Sequence, residues 1–380
     1  MAAKVRIGFV GAGFMGQLAH IRSYALLDEG CELVALAEPR PRTAELVAVR
    51  YGIGRVYRDH RELLESEELD GIVAAQPYLH HATLLPELYP RVRHLFTEKP
   101  LALGAEEADR LARLAAEHAC IHMVGYQRRS DPATREAKRT VDAWRATGEV
   151  GALRYLRICF SDGDWTANAR AALIDTGEEP PRFAAEDPPA EIAADDDALW
   201  ALSTAADQLV HPLNLIRHFL GERYGLVFVH ASGRLLVFES ESGVPATIEV
   251  TPYRLSVGYD EELLVSFEHG YVRLRPAPSL ALNRSGTLEI YRDAGTVPER
   301  IEPQLPWTAP QQAQAADFLR VCRGEAAPPT DAAEAAEDLH LVRDIVRARL
   351  ELPGGRDALR AEREEHVRAW EERRAQLERG

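Results

Sequence analysis

Val5-Arg6-Ile7-Gly8-Phe9-Val10-Gly11-Ala12-Gly13-Phe14-Met15-Gly16 decides how the rest of the chain is read. Val5, Ile7, Phe9 and Val10 form a short apolar run with strand character. It breaks into G-x-G-x-x-G, after which Leu18, Ile21, Ala25 and Leu26 recur at helical spacing. Strand, glycines, then helix is the context that a dinucleotide-binding turn requires. Gly11 permits the tight turn, Gly13 lets a pyrophosphate approach the backbone, and Gly16 lets helix and strand pack closely. The helix start offers unpaired N–H groups to phosphate, so Gly11, Gly13, Phe14, Met15 and Gly16 are candidate cofactor contacts. The bland alternative is an ordinary glycine turn.

With 380 residues, two domains are expected. The hydrophobic share of 46% is enough for full cores. Forty-five Lys and Arg against 60 Asp and Glu give a net charge of −15, which argues against nucleic acid and an anionic membrane surface as partners. Cys31, Cys120, Cys159 and Cys322 are scattered, with no C-x-x-C, so neither a zinc site nor a disulfide framework is signalled. No signal peptide or apolar run of about 18 residues is read, and a cytoplasmic protein is expected.

The second strand, Glu32 to Ala37, stops at Glu38. An acid there accepts hydrogen bonds from ribose hydroxyls and favours NAD. Arg40 and Arg42 follow and keep NADP open, because arginine can hold a 2′-phosphate. A helix is expected over 43–51. Gly71 to Ala75 is the apolar run of a doubly covered parallel strand, closed by Gln76-Pro77-Tyr78-Leu79-His80-His81. His80 and His81 could reach a nicotinamide, or could simply begin a helix. No third ligand at helical spacing supports a metal. A further strand, His94 to Thr97, ends at Glu98-Lys99-Pro100.

These features together resemble the Gfo/Idh/MocA family of NAD(P)-dependent sugar and polyol oxidoreductases. The resemblance implies an N-terminal Rossmann domain (1–128), an α+β substrate domain with an open, mainly antiparallel sheet (129–350), and a charged extension (351–380). A helix over 330–350 would pack back toward the first domain. Lys99 matches the family's catalytic lysine, with Pro100 tilting it through a cis bond. Gln76, Pro77, His80 and Glu98 would sit near the cofactor. Tyr126-Gln127-Arg128-Arg129-Ser130-Asp131-Pro132 resembles the family's G-x-x-R-R-x-x-P stretch, which turns Gln127 and Arg128 to the pocket and leaves Arg129 structural. Ser203 to Asn214 resembles D-x-x-x-H-x-x-D: Asp207 matches the acid and His211 the catalytic histidine, but Asn214 stands where an aspartate is usual, so a charge that tunes His211 is missing. Tyr259, in Val257-Gly258-Tyr259-Asp260, would touch the sugar.

On a continuous helix, Asp207, His211 and Asn214 would share a face. Pro212 opposes continuity and instead suggests a helix start, with Asp207 in the turn before it. Residues 175–197 hold nine acids against Arg182, with four prolines, a composition that reads as a loop or lid. It is either a solvated excursion or a negative rim that draws a cationic substrate such as an amino sugar. Arg356 to Gly380 carries seven acids and seven bases and reads as an exposed helix with Trp370 as its one large anchor. The expected activity is hydride transfer at a secondary alcohol of a sugar, cyclitol or amino sugar, in a homo-oligomer (dimer or tetramer). The alternative is a non-catalytic dinucleotide sensor on the same fold.

Overall fold

A run such as Gly71-Ile72-Val73-Ala74, buried at every position, can only be a strand covered on both faces. The computed structural model, which describes residues 3–255, 258–295 and 297–377, builds its first half from such strands. They are β1 (Val5–Val10), β2 (Cys31–Ala37), β3 (Arg55–Tyr57), β4 (Gly71–Ala74), β5 (His94–Glu98) and β6 (Ile121–Gly125). All pair in parallel, in the order β3-β2-β1-β4-β5-β6. The order reverses between β1 and β4, so a crevice opens at their carboxyl ends. The helices between them are α1 (Arg22–Ala25), α2 (Pro41–Tyr51), α3 (His60–Ser66), α4 (His81–Leu88) and α5 (Ala105–Glu117). The turn of helix before α1, Gly16–Ile21, is wound as a π-helix rather than as the plain helix the sequence suggests.

The short α6 (Gln127–Ser130) and α7 (Pro132–Thr147) carry the chain into the second sheet. Its strands are β7 (Leu153–Asp162), β8 (Tyr224–Val229), β9 (Leu235–Ser240), β10 (Pro245–Arg254), β11 (Glu261–Phe267), β12 (Gly270–Arg275), β13 (Thr287–Arg292) and β14 (Glu299–Ile301). The order is β14-β13-β12-β11-β7-β10-β9-β8, antiparallel throughout except for the β7–β10 pair. Two helices, α8 (Asp196–Gln208) and α9 (Val210–Leu220), interrupt the strands, and α10 (Pro310–Cys322), α11 (Ala332–Glu351) and α12 (Gly355–Leu377) close the chain. No helix among the described residues is long and apolar enough to cross a membrane.

The last helices return to the first sheet. Val124 N–H donates to Thr330 O at 3.0 Å, just before α11. On the other face, α10 buries Phe318 completely, with its ring 5.8 Å from that of Phe96 on β5. Phe9, Tyr24, Leu36 and Met123 belong to the same cluster. Truncation at this depth leaves a cavity, so Phe318→Ala is expected to cost about 3–5 kcal/mol. The measurement is the denaturant midpoint, and an unchanged midpoint would remove α10 from this core.

Candidate active site

Gly11 has φ +94°, and a Cβ there would lie 2.6 Å from Gln76 Nε2, so Gln76 rests on the turn. A Cβ on Gly16 would lie 2.6 Å from Gly11 O. The close approach that Gly16 permits is therefore mainly to the turn's own backbone, with Ala75 Cβ next at 3.5 Å. Gly13 differs: nothing stands within 4 Å of where its Cβ would be. That open cradle, at a helix start, suits a pyrophosphate. Phe14 and Met15 pack partly buried beneath it with Leu18 and Leu280. Glu38 is buried at the end of β2; its carboxylate accepts from Ala12 N–H at 2.8 Å, Arg40 N–H at 3.1 Å and Arg40 Nε at 2.7 Å.

The chemistry-bearing residues gather at the carboxyl end of β5. The Lys99–Pro100 bond is cis. Lys99 Nζ donates to Asp207 O at 2.7 Å and to Asp207 Oδ1 at 2.8 Å. Glu98 turns the other way, to His20 Nε2 at 2.7 Å. Helix α8 ends at Gln208 and α9 starts at Val210, so Pro212 falls in a first turn, where its missing N–H costs nothing. The backbone stays helical through Leu209 between them. Asp207 holds Lys99, and no hydrogen bond joins it to His211 among the described residues. His211 packs edge-on against Tyr126 at 5.9 Å, and its Nδ1 is buried without a hydrogen-bond partner among the described residues. Burial, then Arg128 and Lys99, hold the His211 pKa well below the ordinary imidazole value. It is a neutral base facing two cations.

Arg128 donates to Tyr259 Oη at 2.8 Å and pairs with Glu261 at 2.6 Å, so Tyr259 joins the pocket through the arginine. Val257, which began that stretch in the sequence, lies outside the described residues. Gln127 is buried and donates to Ser279 Oγ at 3.0 Å, across to the second half. Arg129 serves structure, donating to Pro329 O and Asn214 O. Asn214 is not brought to the pocket: its amide donates to Asp338 Oδ2 at 3.0 Å, in the buried seam between α9 and α11. Asp338 also pairs with Arg217 at 2.6 Å, and burial raises its pKa to about 6. A carboxylate from α11 therefore stands beside position 214. His81 is interior, bonded to Leu101 O, with burial lowering its pKa to about 4.

Sequence reading missed Tyr78, whose hydroxyl meets Ser203 Oγ at 2.9 Å one turn before Asp207, and Glu261, the partner of Arg128. The acidic segment is the loop its composition reads as, but its contacts were not legible. Residues 163–195 form a strap across the carboxyl edge of the first sheet, with its end joined to α8. Trp165 stands edge-on to Phe14 at 6.0 Å, and Gln17 exchanges two hydrogen bonds with Ile174. Further on, His80 meets Ala184 O at 3.2 Å, and Glu186 accepts from Leu103 and Gly104 N–H at 2.8 and 2.9 Å. His80, expected at the cofactor, is thus held by the strap, while Pro77 is exposed at the start of its turn. Glu191 pairs with Arg347, Asp195 with Arg356, and Asp197 with Arg360 and Arg363. The acids that suggested a rim for a cationic substrate, and a solvated excursion, are largely engaged within the chain. The tail is likewise a helix, α12, anchored by those arginines; the side chain of Trp370 lies outside the described residues.

Residues 5–126 match the Gfo/Idh/MocA oxidoreductase family with its NAD-binding Rossmann fold. Over 151 residues the chain is 32% identical to the scyllo-inositol 2-dehydrogenase (NAD(+)) of Bacillus subtilis, covering 40% of this chain and 43% of that protein. Over 305 residues it is 25% identical to an inositol 2-dehydrogenase of Burkholderia cenocepacia, covering 76% and 80%. The crystal structure of an NAD-binding oxidoreductase from Klebsiella pneumoniae shares the fold, with a TM-score of 0.67 over 91% of this chain and 97% of that one, at 18% identity.

The Asn214–Asp338 seam yields a test. Asn214→Asp would set two buried carboxyls about one hydrogen bond apart, where both cannot ionise. The added acid's folded pKa would rise above its unfolded value, so stability is lost as pH climbs through it. The variant is expected to melt well below the parent at pH 8, with a smaller deficit at pH 5.5. Equal deficits at both would refute this account.

Proposed function

We propose, from the match of residues 5–126 to the Gfo/Idh/MocA oxidoreductase family, that this chain transfers a hydride between a nicotinamide cofactor and a secondary alcohol or ketone of a small sugar, cyclitol or amino sugar in the cytoplasm. Residues 1–128 serve as the dinucleotide-binding unit and 129–350 as the substrate-binding unit. Inositol dehydrogenases among the relatives support the polyhydroxy substrate class. In the same reading, copies of the chain meet on the open face of the second sheet, where Tyr271 and Tyr291 stack at 5.3 Å.

The observation that carries the proposal is the meeting of Lys99, Asp207, Arg128 and the unpartnered imidazole of His211 at one strand end. A dinucleotide fits the residues present, with its pyrophosphate over Gly13 and its ribose toward Glu38. When bound, the nicotinamide ring accepts or returns the hydride. In oxidation the hydroxyl proton must leave as well, and neutral His211 takes it. Lys99, aimed by Asp207, stabilises the oxygen as it gains negative charge. Arg128, fixed by Tyr259 and Glu261, borders the pocket and helps keep His211 uncharged.

Loss of a positioned general base costs about 10²–10⁴-fold in rate. His211→Ala and Lys99→Ala are each expected to lower kcat at least a hundredfold, followed as NADH absorbance over a panel of inositols, hexoses and amino sugars. Near-normal turnover in either variant would defeat the assignment. NAD binding by the parent protein with no turnover on any substrate would favour a sensor. Because the His211 pKa is lowered, the base stays available as pH falls. The acid limb of kcat/KM is therefore expected well below pH 6.5, and a limb at or above 6.5 would contradict this environment for His211.

A further inference from the structure

Beyond Glu38, a second carboxylate reaches the adenosine end of the crevice, and it comes from the strap. Glu178 Oε1 accepts from Arg42 N–H at 3.2 Å, and Oε2 accepts from Thr43 N–H at 2.8 Å. The hydroxyls of Thr43 and Thr176 donate to Oε2 at 3.0 and 2.9 Å. Glu178 thus closes the N-terminus of α2, the first helix turn after the strand that ends at Glu38. The backbone donors here are committed, while the exposed Arg42 guanidinium has no ion-pair partner among the described residues. Ala12 and Arg40 N–H are held by Glu38, Arg42 and Thr43 N–H by Glu178, and Pro41 has none. The Arg40 guanidinium is bonded to Glu38 at 2.7 and 3.0 Å, and Glu178 and Asp175 add to the negative surroundings that favour its charge.

A 2′-hydroxyl adds no charge at this place and needs no cation. A 2′-phosphate needs cations and free N–H groups, and the two carboxylates already hold the Arg40 guanidinium and the backbone N–H groups, leaving only the Arg42 side chain. It would also bring its own charge beside Glu38, Glu178 and Asp175, and like charges in contact cost several kcal/mol. We propose that Glu178 is a cofactor-specificity residue, a carboxylate lent by the strap that fills the start of α2 and makes the site reject a 2′-phosphate. The inference rests on the dinucleotide reading above and extends it to a residue about 140 positions away from the fingerprint strand end.

The test is binding, measured by titration calorimetry with NAD, NADP, 5′-AMP and 2′,5′-ADP, the last pair differing only in the 2′-phosphate. The parent protein is expected to bind NADP at least about a hundredfold more weakly than NAD, and 2′,5′-ADP more weakly than AMP. In Glu178→Gln, which keeps the size and removes the charge, and in Glu178→Ala, the NADP/NAD ratio of Kd values is expected to fall at least tenfold. A parent protein that binds both dinucleotides equally would overturn the inference. So would variants whose ratio stays at the parental value, including the case where both affinities drop together because the strap has loosened. Binding of neither dinucleotide by the parent would instead sink the dinucleotide reading itself, and the inference with it.

Discussion

The two hydrogen bonds from Lys99 Nζ to Asp207 are the constraint on which the site depends. One partner sits at the end of a parallel strand, and the other in the last turn of a helix from the second half of the chain. The lysine is mostly buried, whereas the carboxylate is 64% exposed. Such a half-exposed pair adds little to stability. Its effect is to aim an ammonium that would otherwise sample many rotamers. The last turn of α8 brings the acid to the lysine, while His211, one turn on in α9, packs against Tyr126.

The charges then sort themselves. Lys99 has Asp207, and Arg128 has Glu261 and the Tyr259 hydroxyl. His211 has no anionic partner among the described residues, and it faces both cations with its Nδ1 buried. An imidazolium there would be desolvated and repelled, so the ring stays neutral. The same logic explains Asn214. A carboxylate is present in that seam as Asp338, on the opposing helix and paired with Arg217. An asparagine beside it donates a hydrogen bond where an aspartate would repel. The charge belongs to the seam rather than to a sequence position.

Features that depend on neighbours in the chain were legible. The strand, glycine turn and helix sit within about twenty residues, and Glu98-Lys99-Pro100 within three. Asp207 and His211 were also readable, and Pro212 warned that no single helix joined them. Pairings between distant residues were not. Arg128 finds Glu261 from 133 positions away, and Tyr78 finds Ser203 from 125. Nothing in local pattern singles out one glutamate among many. Asn214 read as a missing charge because its partner lies 124 residues further on.

The strap is the loop its composition reads as, but where its charges land was not legible. An acidic, proline-rich stretch resists a packed core because its charges repel. That argument assumes the charges meet only water and one another. In a parallel α/β sheet every helix begins at the carboxyl edge, so that edge carries the positive ends of several helix dipoles and their unpaired N–H groups. A segment crossing it meets an array of anion sites. Glu178 takes the start of α2, Glu186 accepts from the two N–H groups just before α5, and Asp195 caps α8 through Ala198 N–H at 3.0 Å. Each carboxylate satisfies donors that would otherwise be left to water, and the prolines reduce the freedom lost on ordering. The acidity that keeps this segment out of a packed core is therefore also what matches it to the edge it crosses.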